Sequence, residues 1–366
     1  MKRTTTSAAA ALLATATAAS AGGIERTTQS IGFMYEPGSY GEFSISRVSP
    51  DVSGVAASGL GPFPAGPDSG DMSGDYTSLS FAFKTDVNDR LSIGFIFEQP
   101  FGADVYYPMG TGYAYGGSNA DLNVDELKLI AKYKLDGGFS IHGGLRMQQV
   151  KGNVALFNGY TLQAPTSSEL GYFIGAAYEK PEIAMRIALT YHSAITHEFA
   201  AIENGSPSLP FETTFPQSLN LEAQTGIAEG TLLLASVRWV DWSEFDITPF
   251  GYNLATGSSL VDYEDDVVTY TVGVARRFTD NFAGIATVSY EAQNGGFSGN
   301  LGPTDGRTSI GLAGRYTVGK AIITGGVNYS WVGDARTENP TAPGTTFGDF
   351  SGNTAVGVGL RVGYTF

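Results

Sequence analysis

Apolar residues alternate with small or polar ones along almost the whole chain after residue 77, most plainly at its end. Over residues 353–366, "NTAVGVGLRVGYTF", one set of positions is Thr354, Val356, Val358, Leu360, Val362, Tyr364 and Phe366. The positions between them are Asn353, Ala355, Gly357, Gly359, Arg361, Gly363 and Thr365. A period of two belongs to a β-strand with two chemically different faces. The same alternation sets Ile183, Met185, Ile187, Leu189 and Tyr191 against Ala184, Arg186, Ala188, Thr190 and His192. It predicts fourteen strands, at 41–49, 77–86, 90–98, 121–136, 138–153, 167–180, 182–198, 217–227, 230–244, 265–278, 281–294, 305–318, 320–335 and 350–366.

The connections fall into two classes that alternate. Tight turns are expected at 86–90, 135–138, 179–182, 228–230, 278–281 and 318–320. Long polar or Gly/Pro-rich segments occupy 50–76, 99–120, 154–166, 199–216, 245–264, 295–304 and 336–349. Long loops at every second connection match a transmembrane antiparallel β-barrel with short periplasmic turns and long outer loops. Lipid supplies no hydrogen bonds, so a sheet that crosses it has to close on itself. A secreted β-sandwich would also alternate, but nothing in that fold calls for long and short connections by turns.

Composition agrees. Glycine contributes 49 residues and aromatics 12%, while charged residues are only 16%, below the usual quarter. The absence of cysteine excludes a disulfide framework or a thiolate metal site. A net charge of −15 excludes the basic footprint of a nucleic-acid binder. At the start, "MKR", an Ala-rich stretch at 7–19 and "ASA" at 19–21 read as an export signal, with a disordered Ala/Thr tail as the alternative. The expected organisation is a signal peptide at 1–21, an N-terminal hatch or plug at 22–40, and the barrel at 41–366.

Strand parity points Lys128, Lys132, Arg146, Arg186, Arg238, Arg277, Arg315, Arg361, His142 and His192 into the lumen, opposed by Glu126. Such cations either bind an anion in transit, pair with acidic residues of a plug, or hydrate a polar lumen. Arg146 and Arg238 lie about eight residues above their turns, at mid-barrel height, and are the candidate ligand contacts. Arg186, Arg315 and Arg361 lie lower, where Glu25 or Glu36 of the plug would meet them. Residues 22–40 do not alternate, and their cluster Ile31, Phe33, Met34 and Tyr35 needs somewhere to bury.

Several stretches resemble one family, the outer-membrane long-chain fatty-acid and hydrocarbon transporters of the FadL/TodX type. "LSIGFIFEQPFG" (91–102) is similar to its third-strand region, and "GYFIGAAYEKPEIAMRIALTYHSAITHEF" (171–199) to its adjacent strand pair. "FPQSLNLEAQTGIAEGTLLLASVRWVDWSEF" (215–245), "GRTSIGLAGRYTVG" (306–319) and the terminal Phe366 also fit. The resemblance implies a monomeric barrel of about fourteen strands, a hatch, and a hydrophobic ligand bound near the outer loops and then deeper. It further implies sideways release at a kinked third strand. One departure is clear: where the family carries Asn-Pro-Ala at the end of the hatch, this chain has Glu36-Pro37-Gly38.

Pro100 and Gly102 are the candidate strand-kink residues, because proline cannot donate to a ladder and glycine tolerates unusual backbone angles. Alternatively, residues 99–102 simply begin the long loop. Aromatic and apolar side chains of the outer loops (Leu60, Phe63, Met72, Phe101, Tyr106, Tyr107, Met109, Tyr113 and Tyr115) offer contact area for capture. The candidate ligand contacts are thus Phe33, Phe101, Arg146 and Arg238. No Gly-x-Ser-x-Gly elbow, His-Glu-x-x-His helix or phosphate-binding loop occurs, and His192 and Ser193 are strand neighbours that point apart. The expectation is passive uptake of a hydrophobic small molecule, a long-chain fatty acid or related compound, with no catalysis, no cofactor and no metal. Partners would be that ligand, outer-membrane lipids and detergent-like amphiphiles. The competing class is a general porin or a structural, adhesive barrel.

Overall fold

The computed structural model describes residues 23–366; the expected signal segment at 1–21 lies outside them. Fourteen antiparallel strands form the wall. They are β1 (Tyr40–Asp51), β2 (Tyr76–Asp86), β3 (Leu91–Glu98, resuming at Gly102–Tyr106), β4 (Asn119–Lys134), β5 (Phe139–Ala155), β6 (Thr161–Lys180) and β7 (Met185–His192). They continue as β8 (Ser218–Ala228), β9 (Thr231–Val240), β10 (Val267–Arg277), β11 (Phe282–Glu291), β12 (Arg307–Val318), β13 (Ala321–Val332) and β14 (Thr354–Thr365). Each pairs with its neighbours in sequence, and the β1–β14 ladder, from Tyr40↔Thr365 to Asp51↔Thr354, closes the sheet. Closure leaves no exposed edge, as a lipid-facing sheet requires. No helix among the described residues is long and apolar enough to cross a membrane.

The faces sort as the alternation dictates. Leu129, Leu145, Ile174, Val272, Leu312 and Leu360 point out and are exposed, whereas Lys128, Arg146, Ser309 and Ala355 point in and are buried. Tyr364 and Phe366 belong to an aromatic group at the turn end, where the Phe366 ring lies 6.0 Å from Phe83 and the Phe366 N–H donates to the Ser39 carbonyl.

Three strand ends differ from the sequence pattern. The strand read at 182–198 stops at His192, and Ile195–Phe199 leaves the wall to pair with Phe211–Phe215 above the lumen. The strand read to 244 ends at Val240, where Trp242–Glu244 turn the chain inward. β6 begins at Thr161, ahead of the expected 167, because it pairs with a β5 that runs to Ala155.

Residues 23–39 run along the lumen. A 3₁₀ turn at Gly32–Tyr35 carries Ile31, Phe33 and Met34 into a cluster with Tyr40, Ala82, Ile96, Ile130 and Phe173 of the wall. Burying a side chain such as Phe33 contributes about 1.5–3 kcal/mol, which accounts for an apolar run in a segment with no strand pattern.

Candidate functional site

Where the outer loops meet the lumen, the side chains form an apolar cavity of about 70 Å³. Its walls come from β3 to β6, through Ala103, Val105, Leu122, Val150 and Leu162, and its roof from loop residues Phe199, Phe211, Phe215, Phe245 and Tyr263. Ile24 of the N-terminal segment contributes to its lining as well. No Lys, Arg or His lines it; its carboxylate is Asp121, which accepts hydrogen bonds from Asn153.

The roof is tied down by Glu203. Its carboxylate accepts hydrogen bonds from the Tyr160 hydroxyl at 2.7 Å, the Ser208 hydroxyl, and the N–H groups of Gly251 and Tyr252 at 2.8 Å each. Those two N–H groups open a short loop helix, α1 (Phe250–Thr256), so the carboxylate supplies acceptors that the helix start lacks. Burial pushes the Glu203 carboxyl up, but these four donors outweigh it and hold it below the usual carboxylate range.

The sequence-derived candidates lie around this cavity and not at one point. Phe101 packs behind it, 5.4 Å from the Phe215 ring and 5.7 Å from Trp242. Phe33 belongs to the separate cluster below. Arg146 donates to Glu126 at 2.8 Å and to the Ser193 carbonyl at 2.8 Å. Glu126 also meets Lys128 at 3.3 Å, and Lys128 meets Glu98 at 2.7 Å. Arg238 donates to Glu25 of the N-terminal segment and to Ser218, so the division of arginines expected from height alone does not hold. The lower Arg186 stacks on the Tyr35 ring at 4.4 Å, and Arg361 faces Glu42 of the wall at 3.9 Å. Glu36 receives the Lys84 ammonium on its carbonyl at 2.7 Å, and Pro37 and Gly38 lead into β1, Gly38 with φ of 64°.

The expectation of a cationic interior opposed by Glu126 is corrected. Glu42, Glu98, Glu222 and Glu291 from the wall, with Glu25 and Glu36 from the N-terminal segment, place carboxylates among the lumen cations. Several of the aromatic and apolar loop side chains expected to capture ligand are themselves core. Leu60, Met72, Tyr107, Tyr113 and Tyr115 pack with Phe347 and Phe350, whereas Tyr106 and Met109 are exposed. The sequence reading missed the roof aromatics Phe199, Phe211 and Phe215. Their signal was the alternation in "FETTF" (211–215), which lay inside a segment read as loop.

β3 is interrupted beside this cavity. Its ladder to β4 runs to Glu98↔Glu126 and resumes at Gly102↔Asn123, so three residues oppose two. The β2–β3 ladder begins at Phe81↔Phe97, and the stretch of β2 above it, from Tyr76 to Ser80, is paired with β1 alone. The N–H groups of Arg26 and Thr27 donate to the Pro100 carbonyl at 2.8 and 3.3 Å, and the Gly102 N–H to the Ile24 carbonyl at 2.9 Å.

A closed barrel of this size, with an inner N-terminal segment and an apolar chamber under its loops, has counterparts. Residues 23–366 match the family described as "Outer membrane protein transport protein (OMPP1/FadL/TodX)". The chain belongs to this family. It is therefore an outer-membrane β-barrel of a transport family for hydrophobic compounds. Among solved structures, a Pseudomonas aeruginosa FadL homologue is 15% identical with a TM-score of 0.72, covering 92% of each chain. The Pseudomonas putida toluene transporter TodX is 12% identical with a TM-score of 0.63, covering 96% of this chain and 98% of its own. The Ralstonia pickettii toluene transporter TbuX is 13% identical with a TM-score of 0.60, covering 90% of each. At such identities the likeness shows the fold. No curated protein matches the chain.

Proposed function

We propose that this FadL/TodX-type barrel takes up hydrophobic small molecules passively across the outer membrane, as a monomer, through the apolar cavity under its loops. The observation that carries this reading is the cavity itself, roofed by Phe199, Phe211, Phe215 and Phe245 and bounded by the N-terminal segment at the break in β3. Apolar burial alone supplies affinity, at about 0.8 kcal/mol for each methylene removed from water. The cavity is smaller than the ~150 Å³ that holds benzene in an engineered protein core, so a ligand enters by displacing lining side chains.

The lining favours uncharged cargo. A long-chain fatty acid would lodge its hydrocarbon tail among these side chains but find no cation there for its carboxylate. Toluene transport by two of the structural relatives is in keeping with neutral ligands. Residues 23–39 act as the hatch, and sideways release at β3 is the exit that the family resemblance implies.

Purified protein titrated with a fluorescent hydrophobic probe, in competition with toluene and with palmitate, tests the reading. Binding displaced by either competitor is expected, and Leu162→Trp, which fills the cavity, should weaken it about tenfold, the equivalent of 1.4 kcal/mol. Probe binding indifferent to Leu162→Trp would remove the cavity from the path.

A further inference from the structure

A second cavity lies on the other side of the N-terminal segment. It matches the apolar one in volume, about 70 Å³, and is opposite to it in chemistry. Its wall comes from β8 to β13, and the segment itself parts the two. Ile24 lines the apolar cavity, whereas Glu25, Thr27 and Thr28 line the second. Three contacts fix this partition. The Arg238 Nε donates to Glu25 at 2.8 Å, the Asn220 amide to the Thr28 carbonyl at 2.7 Å, and the Ser30 hydroxyl to Glu222 at 2.7 Å.

The upper lumen thus has two halves. Inward positions that carry Ala103, Val105, Leu122 and Val150 on β3 to β5 carry Thr269, Thr271, Thr287, Ser289 and Ser309 on β10 to β12. Nearer the turns, the inner face of β9 to β11 changes to Leu234, Ala275 and Ile285, which are buried together, so the hydroxyl lining ends on an apolar floor. Arg307 opens β12 at its loop end, so the chamber reaches up to the long loops. Its charged side chains have partners within the protein: Arg238 meets Glu25, Arg307 lies 3.5 Å from Glu291, and Glu222 holds the Ser30 hydroxyl. Two guanidiniums and two carboxylates line it, so neither sign of charge is favoured, and a bare ion would leave water without a full counter-charge. What it offers a ligand is hydroxyls, which both donate and accept. Thr271 and Ser289 share a hydrogen bond at 2.9 Å, and Ser309 and Ser330 share one at 2.7 Å. Ser236 and Thr287 form no side-chain hydrogen bond among the described residues.

We propose that this chamber is a second binding site, for a small uncharged polyhydroxy compound, separate from the apolar cavity and its hydrophobic cargo. At about 10–15 Å³ for each water position, the chamber has room for about five to seven waters, or for a solute of about six non-hydrogen atoms. Binding exchanges those waters for ligand hydroxyls, with a small net gain for each hydrogen bond, so the affinity is millimolar. The barrel then holds two ligands of opposite polarity side by side, parted by the N-terminal segment. This goes beyond the uptake reading and does not depend on it.

Glycerol is the probe, titrated onto the purified protein in glycerol-free buffer and a detergent without a sugar head group. Saturation transfer from protein to glycerol is read by NMR. The expected signal saturates in the millimolar range and is unaffected by toluene. Thr271→Leu, which fills the chamber from β10, should raise the half-saturation concentration about tenfold and leave hydrophobic-probe binding at the wild-type level. Ser236→Leu fills it from β9 and serves where Thr271→Leu does not fold. Leu162→Trp should do the reverse, weakening the hydrophobic probe and sparing glycerol. A signal that grows linearly with glycerol, or one that both filling variants leave unchanged, overturns the site. Failure of the wild-type protein to bind the hydrophobic probe strikes the uptake reading alone.

Discussion

Arg146 and Arg238 are turned inward by parity, but their acidic partners stand 20 and 213 positions away along the chain. Arg146 completes a buried network in which Glu126 also accepts from Gln148 at 2.9 Å. Without Arg146 the buried Glu126 carboxylate keeps Lys128 and Gln148 but loses its closer cation, a loss of about 1–3 kcal/mol. Arg146→Ala should therefore lower the denaturant midpoint of the folded barrel and leave probe affinity unchanged. A weakened affinity with unchanged stability would return Arg146 to the ligand. Gly144 makes a similar point about space. A Cβ there would lie 1.7 Å from the Leu129 carbonyl oxygen of the next strand. Gly144→Ala should destabilise the barrel by about 1–3 kcal/mol through overpacking, measured as a lower unfolding temperature. Alternation predicts a small inward residue at this position; only the approach of β4 requires glycine.

At the scale of elements, strands were legible and the loop structures were not. A period of two survives in isolation because it reflects which solvent each face meets. The seven-residue helix α1 is too short to hold itself together, and its start is completed by Glu203, 47 residues before its first residue. The lowered Glu203 pKa sets the sign of a pH effect. Its stabilising contribution is present above the ordinary value of 4.5 and is lost as pH falls below it towards the depressed folded value. Hydrogen exchange in the 199–216 and 245–264 loops should accelerate as pH drops through that window, after correction for the intrinsic rate. Glu203→Gln should show the faster exchange already at neutral pH and lose the pH response. The break in β3 was half legible: "QPFG" announces an interruption, but that the strand resumes at Gly102 depends on β4 continuing as a template.

For the whole molecule, the decisive property is that fourteen strands close around a segment that would otherwise expose Ile31, Phe33 and Met34. Deleting residues 23–39 should turn a nearly silent protein into one with steady ion conductance in a planar bilayer, because the lumen face they cover is polar. Full-length protein that already conducts like the deletion would favour the porin alternative. The sequence by itself determined the strand count, the lipid and lumen faces, the gathering of the long loops at one end and the terminal aromatic group. Each of these follows from local alternation imposed by two solvents. Tertiary structure decided the rest: which lumen cation meets which carboxylate, which loop aromatics roof a cavity and which merely pack, and how Arg26 comes to lie between Tyr76 and Asp104. Those contacts join residues far apart in sequence, and no local pattern encodes a distance that exists only once the barrel has closed.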